Sequence, residues 1–179
     1  MDGRCASPNP ARNLKRITYN LKPFPPVIPV SERQEFLSTI PIFAGLNEAA
    51  LSELVKAAEE VSVEGNQVIV REGEAGNRMF IIYSGRVEVV KYLDQPKETV
   101  LGTFGPRDFL GEMSIIECVT RSASLRAAEP TVLFALKGSD LYHLYRHQPA
   151  QYAIVILNIA RDLSRRLRSI DEKFAAVSH

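Results

Sequence analysis

Residues 109–127 read FLGEMSIIECVTRSASLRA. A Gly-Glu pair, Gly111 and Glu112, opens an apolar run too short for a domain and too apolar for a free loop. An arginine, Arg121, stands nine residues beyond the glutamate. Glycine permits a tight turn at 111, and EMSIIE makes about one to two turns of helix. The first N–H groups of a helix lack internal partners and carry partial positive charge, so they suit an anion. Arg121 begins the next extended run and brings a two-pronged guanidinium to the same point. An anion held there leaves Glu112 as acceptor for a neighbouring hydroxyl, with the arginine offsetting repulsion between carboxylate and anion. A surface ion pair between Glu112 and Arg121 is the plainer alternative, and such a pair stabilises little.

The flanking sequence favours the anion site. VSVE, QVIVRE, MFIIYSG, RVEVVKYL, ETVLGTFG, SASLRA and TVLFALK are short, rich in β-branched and aromatic residues, and divided by turns carrying Gly, Pro, Asn or Asp. Short strands at regular spacing predict an antiparallel barrel or sandwich, and about eight of them would close a small jelly-roll-like β-barrel. Helices flank it. Ser31 with Gln34 fits a capping box, and Phe36, Leu37 and Ile40 supply an apolar face. Asn47 caps a second helix marked by Leu51, Leu54, Val55 and Ala58. Beyond the strands, Ser139 is the expected cap of DLYHLYRH, and Pro149 opens a long helix to about Phe174. Along that helix Tyr152, Ile156, Ile159, Leu163, Leu167, Ile170 and Phe174 recur three or four apart. The stripe is long for a helix resting on one small barrel, so a homodimer joined along it is expected, with Ile159 in the seam. Arg161, Arg165, Arg166 and Arg168 fall mostly off the stripe and read as a solvated face.

Residues 1–30 carry six prolines and no periodicity, so they read as an extended arm or linker ahead of a domain at 31–179. The 179-residue chain is 45% hydrophobic and 24% charged, with formal net charge +1. That balance carries no electrostatic footprint for nucleic acid or anionic membrane. Two distant cysteines, Cys5 and Cys118, fit neither a disulfide framework nor a metal site and suit a reducing compartment. With no long apolar span and no signal-peptide core, a cytoplasmic location is expected. A metal-dependent barrel enzyme needs histidines on its strands, yet His143, His147 and His179 all follow them. An iron–sulfur sensor needs about four cysteines.

Taken with these runs, FLGEMSIIECVTRSA resembles the phosphate-binding cassette of the cyclic nucleotide-binding domain family, with one extra residue between Phe109 and Gly111. GNRMFIIYSGRVEVV resembles that family's strand–Gly–strand segment and FAGLN its helical turn before the barrel, over roughly residues 36–173. The resemblance implies a binding module and not an enzyme, with cAMP or cGMP as ligand and no cofactor or metal. It implies that Gly111, Glu112, Met113 and Ser114 offer backbone N–H groups or frame the phosphate. Glu112 would accept from the ribose 2′-hydroxyl, Arg121 would pair with the cyclic phosphate, and Ser122 would lie by phosphate and base. Val89, Leu101 and Phe104 match positions that pack against the purine.

SRRLRSIDEKF is similar to the central dimer helix of bacterial cyclic-AMP receptor regulators. Ile170 and Asp171 stand where two hydroxyl residues reach the adenine in those proteins. Cys118 and Thr120 stand where the cassette often has Gly and Pro, and neither change removes a ligand. No helix-turn-helix domain is expected within the chain, so the ligand signal would pass through the C-terminal helix to an effector the sequence does not name. A structural domain of the same fold with a vestigial pocket is the competing reading. Such a domain would have lost Glu112, Arg121 or the small residue after it, and all three are present.

Overall fold

The computed structural model describes residues 28–117 and 119–177. The expected arm lies outside the described residues except for its last three positions, as do Cys5, Cys118 and His179. The described chain runs α1 (Val30–Ser38), a 3-10 turn (Pro41–Phe43), α2 (Glu48–Ala57), β1 (Glu59–Val63), β2 (Val68–Val70), β3 (Arg78–Ser84), β4 (Val87–Lys91) and β5 (Thr99–Phe104). It continues with β6 (Phe109–Leu110), α3 (Glu112–Glu117), β7 (Ser124–Ala127), β8 (Thr131–Lys137), α4 (Gly138–His147) and α5 (Pro149–Val177).

Two four-stranded antiparallel sheets, ordered β1-β8-β3-β6 and β2-β7-β4-β5, form the body. The expected mainly β, jelly-roll-like architecture with flanking helices and a long C-terminal helix is present, built as two sheets that do not close into one barrel. Every expected strand is present, and β6 is an eighth that the run pattern missed because two residues cannot display a period of two. β3 and β8 pair residue for residue from Arg78↔Lys137 to Ile82↔Leu133. Their side chains alternate between two cores. Met79, Ile81, Phe134 and Leu136 join a cluster with the helices, including Leu37, Leu54, Leu144 and Ile159. Phe80, Ile82, Leu133 and Ala135, with Leu110 of β6, face the second sheet and meet its Val87 and Leu125. The near-continuous apolar runs MFII and LFAL follow from this burial on both faces.

Helix ends differ from the sequence expectation in two places. Ser31 does not cap α1: the helix begins at Val30 after Pro29, with no side-chain cap, and Arg33 fastens it by donating to Ile28 O at 2.8 Å and pairing with Glu60 at 3.0 Å. Ile28 is itself buried, and its N–H donates to Glu60 Oε2 at 3.0 Å. Ser139 lies inside α4, whose capping residue is Lys137, with the Asp140 carboxylate accepting from Lys137 N at 2.8 Å. Asn47 behaves as expected, its Oδ1 accepting from Ala50 N at 2.8 Å.

The long helix divides its apolar stripe. Tyr152 and Leu163 pack on the helix-side core, and Ile159 is 1% exposed within it. Asn158 ties α5 to the 3-10 turn by donating to Ile42 O and Ala44 O at 3.2 and 2.9 Å. Leu167, Ile170 and Phe174 project into solvent, as does Leu157. Ile159 therefore belongs to the domain's own core and not to a dimer seam, which corrects the expectation for that residue. Among the described residues no helix is long and apolar enough to cross a membrane.

Candidate functional site

The stretch 109–127 folds as strand, six-residue helix and strand: β6, α3 and β7. Gly111 between β6 and α3 has φ +83°, and a Cβ there would lie 2.6 Å from Arg121 Nη1, so only glycine serves. Arg121 precedes β7 and does not begin it. Its backbone donates to Glu74 O at 2.8 Å and accepts from Gly73 N at 2.9 Å, which fastens the β2–β3 loop to the cassette. Gly76 in that loop touches α3, since a Cβ there would fall 2.2 Å from Ser114 Cβ and 3.3 Å from Arg121 Cδ.

Arg121 is only 5% exposed. Nη2 donates to Arg78 O at 2.7 Å, and Nη1 donates to Gly111 O at 3.1 Å and to Ser114 Oγ at 3.5 Å. Nε is buried without a hydrogen-bond partner among the described residues. No carboxylate of the described residues lies within ion-pair distance of it, so the surface Glu112–Arg121 pair does not form. Burial lowers the guanidinium from its ordinary range, while the more distant charges of Glu74 and Glu112 oppose that shift.

Glu112 is 4% exposed. Burial pushes its carboxyl up; its own backbone N–H and the charge of Arg166 work the other way, Asp162 adds to the rise, and Arg121 opposes it. Arg166 and Asp162 arrive from α5. Arg166 Nε lies 2.6 Å from Asp162 Oδ2, Nη2 donates to Phe109 O at 2.9 Å, and the guanidinium rests against the rings of Phe104 and Phe109, 5.0 and 4.8 Å from their centroids. Arg166 thus departs from the solvated face expected for the arginines of α5, whereas Arg161, Arg165 and Arg168 are exposed. The i, i+4 spacing of Asp162 and Arg166 was the signal for the pair; its contact with Phe109 crosses 57 residues and left no local trace.

The remaining expected residues are spread around this centre. Ser114 is buried and Met113 is 41% exposed. Ser122 is exposed, with its carbonyl accepting from Lys91 Nζ at 2.8 Å. Val89 and Phe104 pack against the core between the sheets, and Val89 sits at a register shift where β4 meets β5. Leu101 is 61% exposed on β5. Ile170 and Asp171 are both exposed on the outer part of α5. Along α3 an open groove of about 990 Å³ is lined by Gly76 and Ser114 beside Arg121, by Ile116 and Val119 of the cassette, and by Leu141 and Tyr145 of α4. Among the described residues no group of three or more His, Cys, Asp or Glu side chains is placed to hold a metal ion.

Residues 60–148 match the family model described as Cyclic nucleotide-binding domain. The CRP-like cAMP-activated global transcriptional regulator of Mycobacterium tuberculosis is 28% identical over 141 residues, which cover 79% of this chain and 61% of that protein. A cyclic nucleotide-gated potassium channel of Rhizobium etli is 36% identical over 115 residues, covering 64% of this chain and 31% of the channel. The crystal structure of the Thermus thermophilus catabolite activator protein superposes with a TM-score of 0.64 at 30% identity, over 77% of this chain and 63% of that one. The chain thus spans from under a third to about three fifths of the curated relatives' length. On the cassette, the two-sheet fold and these matches, residues 60–148 belong to the cyclic nucleotide-binding domain family.

Proposed function

We propose that the chain senses cAMP or cGMP in the cytoplasm and relays occupancy through α5 to an effector. The observation that carries this reading is the buried Arg121, a cation held by two carbonyls and a hydroxyl. Such a charge is costly to bury until an anion joins it. A cyclic phosphate supplies that anion, with Gly111, Glu112, Met113 and Ser114 framing it and Ser122 at its edge. Glu112 takes the ribose 2′-hydroxyl, and Val89, Leu101 and Phe104 border the purine.

Relay follows from what surrounds Glu112. Asp162 and Arg166 lie close enough to act on its charge, so a ligand on Glu112 changes the field that holds α5 against Phe109. Ligand binding then favours one helix position over another. Leu167, Ile170 and Phe174 leave an apolar stripe in solvent, which supports a homodimer along α5. Ile170 and Phe174 close over the purine in that arrangement, beside Asp171, so truncation after Leu167 weakens binding. Calorimetric titration of the whole chain with cAMP and with cGMP tests the reading, one of the two binding at micromolar or tighter affinity. Binding of neither would leave a domain of this fold with a vestigial pocket. Sedimentation at high micromolar concentration tests the dimer, and a monomer with and without nucleotide refutes it.

A further inference from the structure

Across α4 from the cassette, a second polar cluster has no part in the site above. His143 and His147 are four residues apart on one face of α4, with ring centroids 4.0 Å apart and planes inclined by 36°. His143 Nδ1 lies 2.6 Å from Glu53 Oε1, and His147 Nδ1 lies 3.0 Å from His143 O. A carboxylate and a carbonyl only accept, so each Nδ1 must carry the proton. A neutral imidazole protonated at Nδ1 presents a bare lone pair at Nε2. Gln148 Nε2 donates to Glu53 Oε2 at 3.0 Å, which fixes the carboxylate that orients the first ring. Metal-binding histidines commonly have this outer arrangement, with the second ring nitrogen donating to a carboxylate or backbone carbonyl.

We propose that His143 and His147 form a two-histidine chelate, through Nε2 of each, for a divalent first-row transition ion such as Zn²⁺ or Cu²⁺. Two imidazoles on one metal, with metal–nitrogen bonds of about 2.0–2.1 Å, have centroids roughly 4.5 Å apart at the right angle of a Cu²⁺ site and roughly 5.2 Å apart at the tetrahedral angle of Zn²⁺. From the observed 4.0 Å, rotations of two exposed side chains about their χ angles open the pair to either separation. Water fills the other positions, because no third ligand stands near among the described residues. Glu53 belongs to α2 and the rings to the C-terminal half of α4, so the bound ion fastens these helices where only Gln148 separates α4 from α5. Hard cations such as Mg²⁺ prefer oxygen ligands and are not held.

The experiment titrates Zn²⁺, Cu²⁺ and Mg²⁺ into the full chain at pH 7.5, following the histidine rings by long-range proton–nitrogen correlation. Expected are Nδ1-protonated rings before metal and selective shifts of His143 and His147 with Zn²⁺. Affinity should be greater for Cu²⁺ than for Zn²⁺, as the general order of divalent ions requires. His143→Ala and His147→Ala should each weaken Zn²⁺ binding by about tenfold or more, and Glu53→Gln by about tenfold. All three positions lie away from the cassette, so nucleotide affinity serves as the check on folding. Rings protonated at Nε2, or Zn²⁺ affinity unmoved by either histidine substitution, would overturn the proposal.

Discussion

Arg121→Ala separates what the arginine does for the fold from what it does for the ligand. In the free protein the substitution withdraws charged donors from Arg78 O and Gly111 O. Hydrogen bonds to charged groups each contribute about 1.5–3 kcal/mol. Against that loss, the same change removes a buried cation whose desolvation shows in its lowered pKa. The expected net cost to stability is therefore about 1–3 kcal/mol. In the nucleotide complex the lost charge pair should cost about 2–5 kcal/mol, or about 30-fold to several thousand-fold in Kd. Urea unfolding with and without cyclic nucleotide reads both effects. At a ligand concentration 100 times the parent Kd, the parent gains about 2.7 kcal/mol. A variant with 100-fold weaker affinity gains only about 0.4 kcal/mol under the same conditions. Equal nucleotide-induced stabilisation of parent and variant would refute the phosphate assignment, whatever happened to intrinsic stability.

Glu112→Gln keeps an acceptor for the ribose hydroxyl but loses its charge, so the penalty for a 2′-deoxy nucleotide should shrink relative to the parent; calorimetry that shows no 2′-deoxy penalty in the parent removes that role. The same variant tests the raised carboxyl: a raised folded pKa makes ionised Glu112 a stability cost as pH climbs from the ordinary 4.5 through the folded value. Glu112→Gln should then be more stable than the parent at pH 8 and lose that advantage near pH 4, as read from urea midpoints at both. Ile159→Ala should cost about 2–5 kcal/mol of protomer stability by leaving a cavity in the core. Leu167→Glu, on the exposed apolar stripe of the same helix, should leave the unfolding midpoint nearly unchanged and abolish the proposed dimer in sedimentation. Gly76→Ala forces a Cβ into Ser114 and should lower stability by about 1–3 kcal/mol, with nucleotide affinity falling as α3 is pushed from Arg121.

Local chemistry in the sequence was enough for much of the fold. The strand runs could be read because β-branched and aromatic residues alternate between turn residues. Asn47 could be read as a cap because its side chain bonds three residues away. EMSIIE could be read as a short helix bracketed by a glycine and an arginine, and the family likeness of that stretch rests on the same few residues. Each of these features spans fewer than about ten residues, within the range where side chain and backbone of one segment decide the outcome.

Tertiary structure decided whatever depended on distant partners. Strand periodicity cannot reveal whether eight strands close into a barrel, because pairing of β1 with β8 or β3 with β6 joins segments far apart in the chain. Helical spacing marked the apolar positions of α5, but not which would meet the domain's own core. Ile159 is buried there while Leu167 two turns on stands in water, since the helix outruns the body it packs on. Nor could spacing show that Arg121 is held by carbonyls of residues 78 and 111, or that Arg166 reaches back to Phe109. A guanidinium is long and multiply donating, so its partners are set by what the folded backbone brings within reach, and sequence neighbours say little about them.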